Sequence, residues 1–410
     1  MLEVHARTRT RSIDVPQYRK APEASSETLD ALSVPVYELE LWTSRQRQAH
    51  SIHEVSYRAC FKPQLPAYFI DRLTNDGEIV YDPFSGRGTT AVEAALRGRQ
   101  VVANDINPLS EILTRPRLEL PSLTDIDKRL RELSFSASVS SDIDLSMFFE
   151  RNTLNEILGL RRYLARRRLE GHEDRIDRWI RMVATNRLTG HSPGFFSVYT
   201  LPPNQAVSAE NQVKINVKRD QVPAYKDIRA LILRKSMQLQ GNISAADRWR
   251  LRGAAVTAQF ITGPAASTAS IAPDSVKLTV TSPPFLDVVQ YARDNWLRCW
   301  FNGLDADAIG EHITMSSTVE DWREQMAAVL AELYRITRRE GWVAFEVGEV
   351  RKGKIRLEEH VVPLGIAAGF TCDAVLINKQ QFTKTANIWG VGNNEAGTNS
   401  NRIVVLRKAG

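Results

Sequence analysis

The stretch EIVYDPFSGRGTTAVEAALRGRQVVAND, residues 78–105, decides the fold of this chain. Its apolar start, 78–81, predicts a strand, and the glycine-containing segment 82–90 predicts a tight loop. A helix is expected over 91–96 and a second strand over 100–104. A strand, a helix and a strand in this order have the size of a βαβ unit, so the sequence predicts an α/β fold with a mostly parallel sheet.

The loop of this unit has the spacing of a nucleotide-binding turn. Gly86, Gly88 and Ala91 satisfy the pattern G-x-G-x-x-G/A, in which glycines let the backbone approach a ligand and the helix N-terminus favours a negative group. Asp105 closes the second strand and is placed to accept hydrogen bonds from two ribose hydroxyls. The spacing does not distinguish an NAD site from an S-adenosylmethionine site. The alternative to either site is a glycine-rich turn that binds no ligand. A loop that begins with an acid, Asp82, argues against an NAD dehydrogenase.

A second distinctive stretch is Thr281-Ser282-Pro283-Pro284-Phe285, which follows an apolar segment, 276–280, predicted to be a buried strand. Two consecutive prolines remove two backbone donors and fix two φ angles, so the chain must leave its sheet abruptly. The resulting corner carries a hydroxyl group, carbonyl groups and an aromatic ring, which suits a flat substrate with polar edges such as a nucleobase. Taken alone, the pentapeptide also fits a stiff turn with a packed Phe.

The remaining chain divides into an arm, a discontinuous α/β domain and a helical insert. We expect 1–50 to be an N-terminal arm, partly disordered, and 51–116 with 254–410 to form the α/β domain. Segment 117–253 is predicted to be mainly helical, with helices over 142–168, 175–188 and 225–239. After it, the pattern predicts strands over 255–261, 342–347, 370–376 and 403–406 and helices over 319–338 and 358–368.

Composition narrows the class of protein. The chain has 410 residues, 43% of them hydrophobic, with a net charge of +6 and a pI near 9.2, which fits a polyanionic partner or simply a basic soluble protein. Its three cysteines form no CxxC pair, which argues against a disulfide framework and a cysteine-bound metal. Without a long apolar run, a cytoplasmic protein with no membrane contact is expected.

The two distinctive stretches together resemble a known family. The segment DPFSGRGTT, 82–90, resembles motif I of the DNA amino-methyltransferases, and TSPPF, 281–285, resembles their catalytic motif IV. Phe61-Lys62-Pro63 is similar to motif X, 104–108 to motif II, and 401–405 to the end of motif VIII. The resemblance covers about 50–116 and 254–410 and implies a Rossmann-like class I methyltransferase fold.

The resemblance implies S-adenosylmethionine as the cofactor and no metal. It carries cofactor binding over to these positions: Phe61, Lys62, Asp82, Pro83, Phe84, Gly86, Gly88, Thr89, Thr90, Asp105 and Asn107. One departure is the segment 263–265, Gly-Pro-Ala, where the family often has an acidic residue. Another is the order of the motifs, because motif IV commonly precedes motif I in cytosine-N4 enzymes.

The resemblance assigns the chemistry to Ser282, Pro283, Pro284 and Phe285. A serine before Pro-Pro is typical of enzymes that methylate the N4 amino group of cytosine, whereas Asp or Asn is typical of adenine-N6 enzymes. The hydroxyl oxygen of Ser282 and the carbonyl of Pro283 would accept the two amino hydrogens, and Phe285 would stack on a base flipped out of the duplex. Carbon-5 methylation needs a cysteine nucleophile beside the base, and Cys299 is predicted to be core instead.

Double-stranded DNA is the expected partner, and the insert is the expected place of target recognition. Its basic and aromatic candidates for DNA contact are Arg161, Arg162, Arg166, Arg167, Arg181, Arg187, Phe195, Phe196 and Asn204. A solvated helical face and a local core are the structural alternatives for these residues. An adenine-N6 enzyme, an RNA amino-methyltransferase and a DNA-binding protein without enzymatic activity are the functional alternatives. A cognate restriction endonuclease would be a partner of a modification enzyme, and a monomer or a homodimer fits the sequence.

Overall fold

The structure is a computed structural model that describes residues 19–20, 25–39, 41, 49–58, 60–135, 141–200, 206–284, 291–313, 316, 318–350, 355–379 and 400–410. Its strands are β1 (Arg19–Lys20), β2 (Val36–Leu39), β3 (Ile79–Asp82), β4 (Gln100–Asp105), β5 (Gln259–Thr262), β6 (Val276–Thr281), β7 (Thr337–Val350), β8 (Ile355–Arg356), β9 (Thr371–Lys379) and β10 (Ser400–Arg407).

The helices lie between these strands and in the insert. They are α1 (Glu27–Ala31), α2 (Gln64–Leu73), α3 (Thr89–Leu96), α4 (Leu109–Leu118), α5 (Leu123–Glu132), α6 (Arg151–Leu169), α7 (Arg175–Arg187), α8 (Ala209–Arg219), α9 (Ile228–Leu239), α10 (Ala245–Thr257), α11 (Tyr291–Asn302), α12 (Ala306–His312), α13 (Val319–Ile336) and α14 (Glu358–Ala367). Among the helices of this described part, none has the length and apolar character needed to cross a membrane.

One mixed sheet runs through the molecule in the order β1-β2-β9-β10-β7-β6-β3-β4-β5, with β8 paired to β7 at the side. The run from β7 to β5 is parallel throughout, and β10 enters antiparallel to both of its neighbours, β7 and β9. The strand order reverses around β3, where β4 lies on one side and β6 on the other. This reversal is the switch point at which open parallel sheets bind ligands, so the fold prediction is confirmed and the site is expected beyond the carboxyl ends of β3, β4 and β6.

Helices cover both faces of the sheet, and the strands alternate between two apolar cores. Along β4, Val101 faces the first core and Val102 the second, as the two-residue period of a strand requires. The first core includes the helices of the insert, whereas α13 and α14 pack into the second. Burial on both faces explains the near-continuous apolar runs in β3 and β4.

The insert shares the first core with the sheet. Trp179 on α7 is fully buried in that cluster, and its Nε1 donates to the Ser236 hydroxyl on α9 over 2.9 Å. Asp177 on α7 is also fully buried and is neutralised by Arg129 of α5 and Arg167 of α6, the latter at 2.9 Å. A buried carboxylate needs such partners, so these insert arginines fix helices to one another.

Two expectations about elements need correction. Residues 255–257 end α10 and do not begin a strand, because a capping box between Ser244 and Asp247 starts a helix that runs on to Thr257. Helix α6 begins at Arg151, where the Glu150 carboxylate caps the first turn, rather than near Asp142. Within the arm, which was predicted to be only partly disordered, 25–39 supplies α1 and the sheet strand β2.

Candidate active site

The loop after β3 is shaped by two glycines with positive φ. Gly86 has φ +52° and Gly88 has φ +74°, a conformation that L side chains rarely adopt. At Gly88, the first position before α3, a Cβ atom would lie 2.2 Å from the Thr114 hydroxyl oxygen of α4. The loop therefore needs Gly88 both for its backbone conformation and for the close packing of α4 against it.

Asp105, at the end of β4, holds the same loop from the neighbouring strand. Its Oδ2 accepts the Gly86 N–H over 2.7 Å and its Oδ1 accepts the Asn107 N–H over 2.9 Å. Burial raises the pKa of the Asp105 carboxyl to about 6, although the two backbone donors favour its charged form. The carboxyl is half-buried at the edge of a cavity, so it can still accept hydrogen bonds from a ligand.

A buried hydrogen bond joins the glycine loop to the corner at Ser282. The Thr281 hydroxyl at the end of β6 donates to Asp82 Oδ1 at the end of β3 over 2.6 Å. The Thr90 hydroxyl donates to the Val280 carbonyl over 3.0 Å. Burial raises the pKa of Asp82 to about 7. The hydrogen bond from Thr281 is the largest of the effects that lower this pKa. Asp82 and Thr281 are 199 residues apart in the sequence, and their hydrogen bond brings the two motifs together at one edge of the sheet.

A cavity of about 250 Å³ lies at this edge. Apolar and aromatic side chains supply most of its wall, with polar groups of the loop and the corner among them. Its lining residues are Tyr57, Cys60, Phe61, Pro83, Phe84, Ser85, Gly86, Thr89, Asp105, Ile106, Asn107, Gly263, Pro264, Ala265, Ala266, Ser282, Pro284, His312, Ile313, Gln325, Met326, Ala328 and Val329. A partly apolar cavity with a few fixed polar groups is the usual form of a small-molecule site.

Two polar atoms of the lining residues are buried without a protein partner. Ser85 Oγ and Asn107 Nδ2 have no hydrogen-bond partner within the described ranges. Buried polar atoms are normally satisfied, so these two suit a ligand with donor and acceptor atoms. Together with the half-buried carboxyl of Asp105, they fit the sugar and amino-acid parts of a nucleoside cofactor, and the apolar wall near Phe84 and Pro264 fits a flat base.

Ser282 lines the cavity and is hydrogen-bonded to a buried acid behind it, Glu346 of β7. The register explains the contact, because Thr281 pairs with Phe345 and the next residue of each strand then lies side by side. The amide of Asn401, on β10, donates to Glu346 Oε1. Burial raises the pKa of Glu346 to about 7, while hydrogen bonds from Ser282 and Asn401 favour its charged form. The sequence interpretation missed this acid.

The two prolines fix the corner against α13. The carbonyl of Pro284 accepts a hydrogen bond from the Trp322 indole over 2.9 Å, and Trp322 is itself buried. Pro283 is buried, whereas Pro284 reaches the cavity wall. Phe285 lies outside the described residues, so its stacking on a base stays a prediction.

The cofactor residues named from the sequence divide into two groups. Those that line the cavity are Phe61, Pro83, Phe84, Gly86, Thr89, Asp105 and Asn107. Lys62, Asp82, Gly88 and Thr90 are not among the lining residues, and the last three support the loop from behind. Ser85 and the segment 263–266 also line the cavity, and the sequence did not assign them to the cofactor.

The insert residues named for DNA contact differ in exposure. Arg162 and Arg166 on α6 are exposed, so their DNA contact stays a prediction. Arg181, Phe195 and Phe196 are buried at 3%, 4% and 1% exposure, which gives them a packing role and does not support direct contact.

The other named insert residues also have internal partners or lie outside the described ranges. Arg161 donates to the Trp300 carbonyl over 3.0 Å, and Arg187 lies 3.9 Å from the centre of the Phe195 ring. Asn204 lies outside the described residues.

The strand order and the lining residues define an α/β protein with a small-molecule-sized cavity at its switch point. Residues 12–112 match the N6/N4 methylase family, described as DNA methylase. Type II methyltransferase M.MjaII of Methanocaldococcus jannaschii is 32% identical over 103 residues, which is 24% of this chain and 19% of that protein. Type II methyltransferase M.MvaI of Kocuria varians is 30% identical over 97 residues, 23% of this chain and 21% of that protein. The matched segments thus span about a fifth of each relative.

The solved structures that match this chain have low identity to it and low TM-scores. A SAM-dependent methyltransferase from Methanosarcina mazei is 10% identical with a TM-score of 0.33, covering 83% of this chain and 97% of that one. A Thermus thermophilus protein in complex with S-adenosyl-L-methionine is 21% identical with a TM-score of 0.24, covering 36% and 54%. The order and direction of the strands define the fold of this chain.

Proposed function

We propose that this protein is an S-adenosylmethionine-dependent DNA methyltransferase that acts on the N4 amino group of cytosine. The observation that carries the proposal is the Asp82–Thr281 hydrogen bond of 2.6 Å, which fixes the cofactor loop and the Ser282 corner on one cavity. The match of residues 12–112 to a DNA methylase family supports DNA as the substrate. The description of both relatives as Type II methyltransferases supports a role beside a cognate restriction endonuclease.

S-adenosylmethionine supplies a methyl group on a positively charged sulfur. Asp105 is positioned to accept hydrogen bonds from its ribose hydroxyls, and Ser85 Oγ and Asn107 Nδ2 are free to bind its polar groups. Phe84 and Pro264 bound the apolar part of the cavity, which suits the adenine ring. At 263–265 the chain has Gly263, Pro264 and Ala265 in the cavity wall and no acidic residue.

Ser282 is the group we assign to the target amine. The nitrogen lone pair of an exocyclic amine is delocalised into the base, and acceptors for its hydrogens favour the pyramidal geometry in which that lone pair can attack. Because the Ser282 hydroxyl is hydrogen-bonded to Glu346, it can donate its own proton to the carboxylate and keep its lone pairs for the amine. Glu346 thereby acts as a positioning residue. The base must leave the duplex at a cost of roughly a few kcal/mol.

The substrate is tested by transfer of a labelled methyl group from S-adenosylmethionine to duplex DNA and to RNA in parallel. We expect label in DNA and none in RNA. Label in RNA alone would replace the proposal with an RNA methyltransferase, and no label in either, with intact cofactor binding, would contradict methyl transfer to nucleic acid.

A further inference from the structure

Basic side chains from several elements surround the loop 54–57, which precedes the segment that lines the cofactor cavity. Arg87 comes from the loop after β3, Arg187 from the end of α7 and Lys235 from α9, and all three line one groove with 54–57. Arg298 of α11 lies behind the loop, where it donates to the Ser56 carbonyl over 3.1 Å. The groove is therefore assembled by the fold and is not a run of charge along one helix.

The two guanidinium groups in the groove are held by neutral atoms. Arg87 donates to the Val55 carbonyl over 3.0 Å, and Arg187 donates to Asn186 Oδ1 over 3.0 Å while lying 3.9 Å from the centre of the Phe195 ring. Neither makes an ion pair with a carboxylate in the described part of the chain. Arg187 is 8% exposed but lines the groove, where Glu54 is the carboxylate whose charge acts on it.

Lys235 is the third cation, and one acid accompanies it. Its side chain is 7% exposed and its Nζ lies 3.4 Å from Glu54, whose side chain is 49% exposed. Burial and the charge of Arg187 lower the pKa of Lys235 to about 8, and burial and the charge of Arg298 lower that of Arg187 to about 10. Like charges in partial burial repel one another, so an arriving anion would be stabilised strongly.

We infer that this groove binds a phosphodiester of the DNA backbone beside the flipped nucleotide, with Arg87, Arg187 and Lys235 as its cations. The inference rests on the proposed function, because it takes DNA as the substrate. Arginine forks and a lysine ammonium are the groups that bind phosphate oxygens best. Tyr57 lines both the groove and the cofactor cavity, so a phosphate bound in the groove lies next to the reacting centre.

The cofactor itself is a weaker occupant for the groove. Its carboxylate is also an oxyanion, but Arg87, Arg187 and Lys235 are absent from the lining of the cofactor cavity in the described chain. The groove and the cavity share only Tyr57 among their described lining residues. The backbone of the DNA target is thus the anion that fits both the position and the charge.

The test measures the affinity of the full chain for a dye-labelled random-sequence DNA duplex by fluorescence anisotropy, between about 50 and 200 mM salt. Lys235→Gln should weaken binding on the order of tenfold and reduce the slope of log Kd against log salt by about one. Glu54→Gln removes the nearby acid and should tighten binding severalfold. Lys128→Gln is the matched control, because that lysine is 77% exposed on α5 and pairs only loosely with Glu132, at 3.9 Å.

Parallel measurements keep the outcomes distinct. Equilibrium dialysis with S-adenosylmethionine should give the same cofactor affinity in Lys235→Gln, and a large loss there would assign the groove to the cofactor carboxylate and overturn the inference. Unchanged DNA affinity in both Lys235→Gln and Glu54→Gln would also overturn it, as would saturable binding of inorganic phosphate without an effect on DNA. Glu54→Gln alters a half-exposed side chain, so it remains decisive if Lys235→Gln is unstable. A wild-type chain that neither binds nor methylates DNA would contradict the proposed function itself.

Discussion

The cofactor side and the Ser282 side of the cavity differ in how far apart in the sequence their residues lie. The polar part of the cofactor side is made by the loop after β3 and the end of β4, whose residues lie within 82–107 and hydrogen-bond to one another. The corner at Ser282 is completed by Trp322, Glu346 and Asn401, which come from α13, β7 and β10. One side is thus a local motif, whereas the other depends on sheet register.

Removal of the Ser282 hydroxyl tests the side of the cavity assigned to the target base. It has the largest expected effect, a loss of methyl transfer. Ser282→Ala should lower methyl transfer by at least about 100-fold, because the amine loses a positioned acceptor. Cofactor affinity should stay within about twofold, since the cofactor contacts lie on the other side of the cavity. Labelled-methyl transfer and equilibrium dialysis measure the two quantities, with Ser275→Ala, in an exposed loop, as the control. Turnover near that of the wild type would contradict the role of Ser282.

Gly88 tests the cofactor loop through the effect of its packing on the stability of the fold. Gly88→Ala combines φ +74° with a Cβ placed 2.2 Å from Thr114, and should destabilise the fold by about 2–4 kcal/mol. Gly77→Ala is the matched control, because Gly77 has φ +76° and no atom within 4 Å of the added Cβ, so only a conformational cost of about 1–2 kcal/mol is expected. The urea midpoint of unfolding measures both, and equal effects would contradict the packing role of Gly88.

Glu346 tests the Ser282 side of the cavity through the pH dependence of turnover. Because its pKa is raised to about 7, wild-type turnover should rise with pH through that value as the carboxylate becomes able to accept the Ser282 proton. Glu346→Gln can still accept from Asn401, but its amide then donates to Ser282 and occupies a lone pair that the amine needs. Turnover at pH 8 should fall about 10- to 100-fold and lose this pH dependence.

An exposed acid serves as the control for this experiment. Glu320→Gln on α13 should leave both the rate and its pH profile unchanged. An unchanged acid limb in Glu346→Gln would contradict the assignment of that limb to Glu346.

Asp82 tests the link between the two sides through the pH dependence of the stability of the fold. Its folded pKa, about 7, lies above the ordinary value of 3.8, so the folded state binds the proton more tightly and loses stability as pH rises from about 4 to about 7. Asp82→Asn keeps acceptors for the Thr281 hydroxyl and the Phe84 N–H, and removes that dependence. Urea midpoints of wild type and variant at pH 5 and pH 8 should therefore diverge in favour of the variant at the higher pH.

The sequence predicted what local chemistry determines. The βαβ unit, the glycine loop and Asp105 follow from short-range spacing, and the structure places them at one edge of the sheet as expected. The corner after β6 was also predicted, because Pro283-Pro284 ends a strand by covalent geometry alone.

Long-range contacts could not be predicted in the same way. Glu346 is the single acid of the apolar segment 342–347, and only the pairing of Thr281 with Phe345 brings it to Ser282. The number of arginines in the insert likewise does not tell which are exposed, and Arg181 proves to be buried and paired with Glu173 at 2.5 Å. For Glu346, the available signal in the sequence was a single acid near the carboxyl end of an apolar segment.

The most direct test of the central claim is the identity of the methylated nucleoside. DNA incubated with the wild-type chain and labelled S-adenosylmethionine is digested to nucleosides and analysed by mass spectrometry. The proposed role of Ser282 predicts N4-methylcytosine that is absent when Ser282→Ala is used. N6-methyladenine or 5-methylcytosine as the labelled product would contradict it.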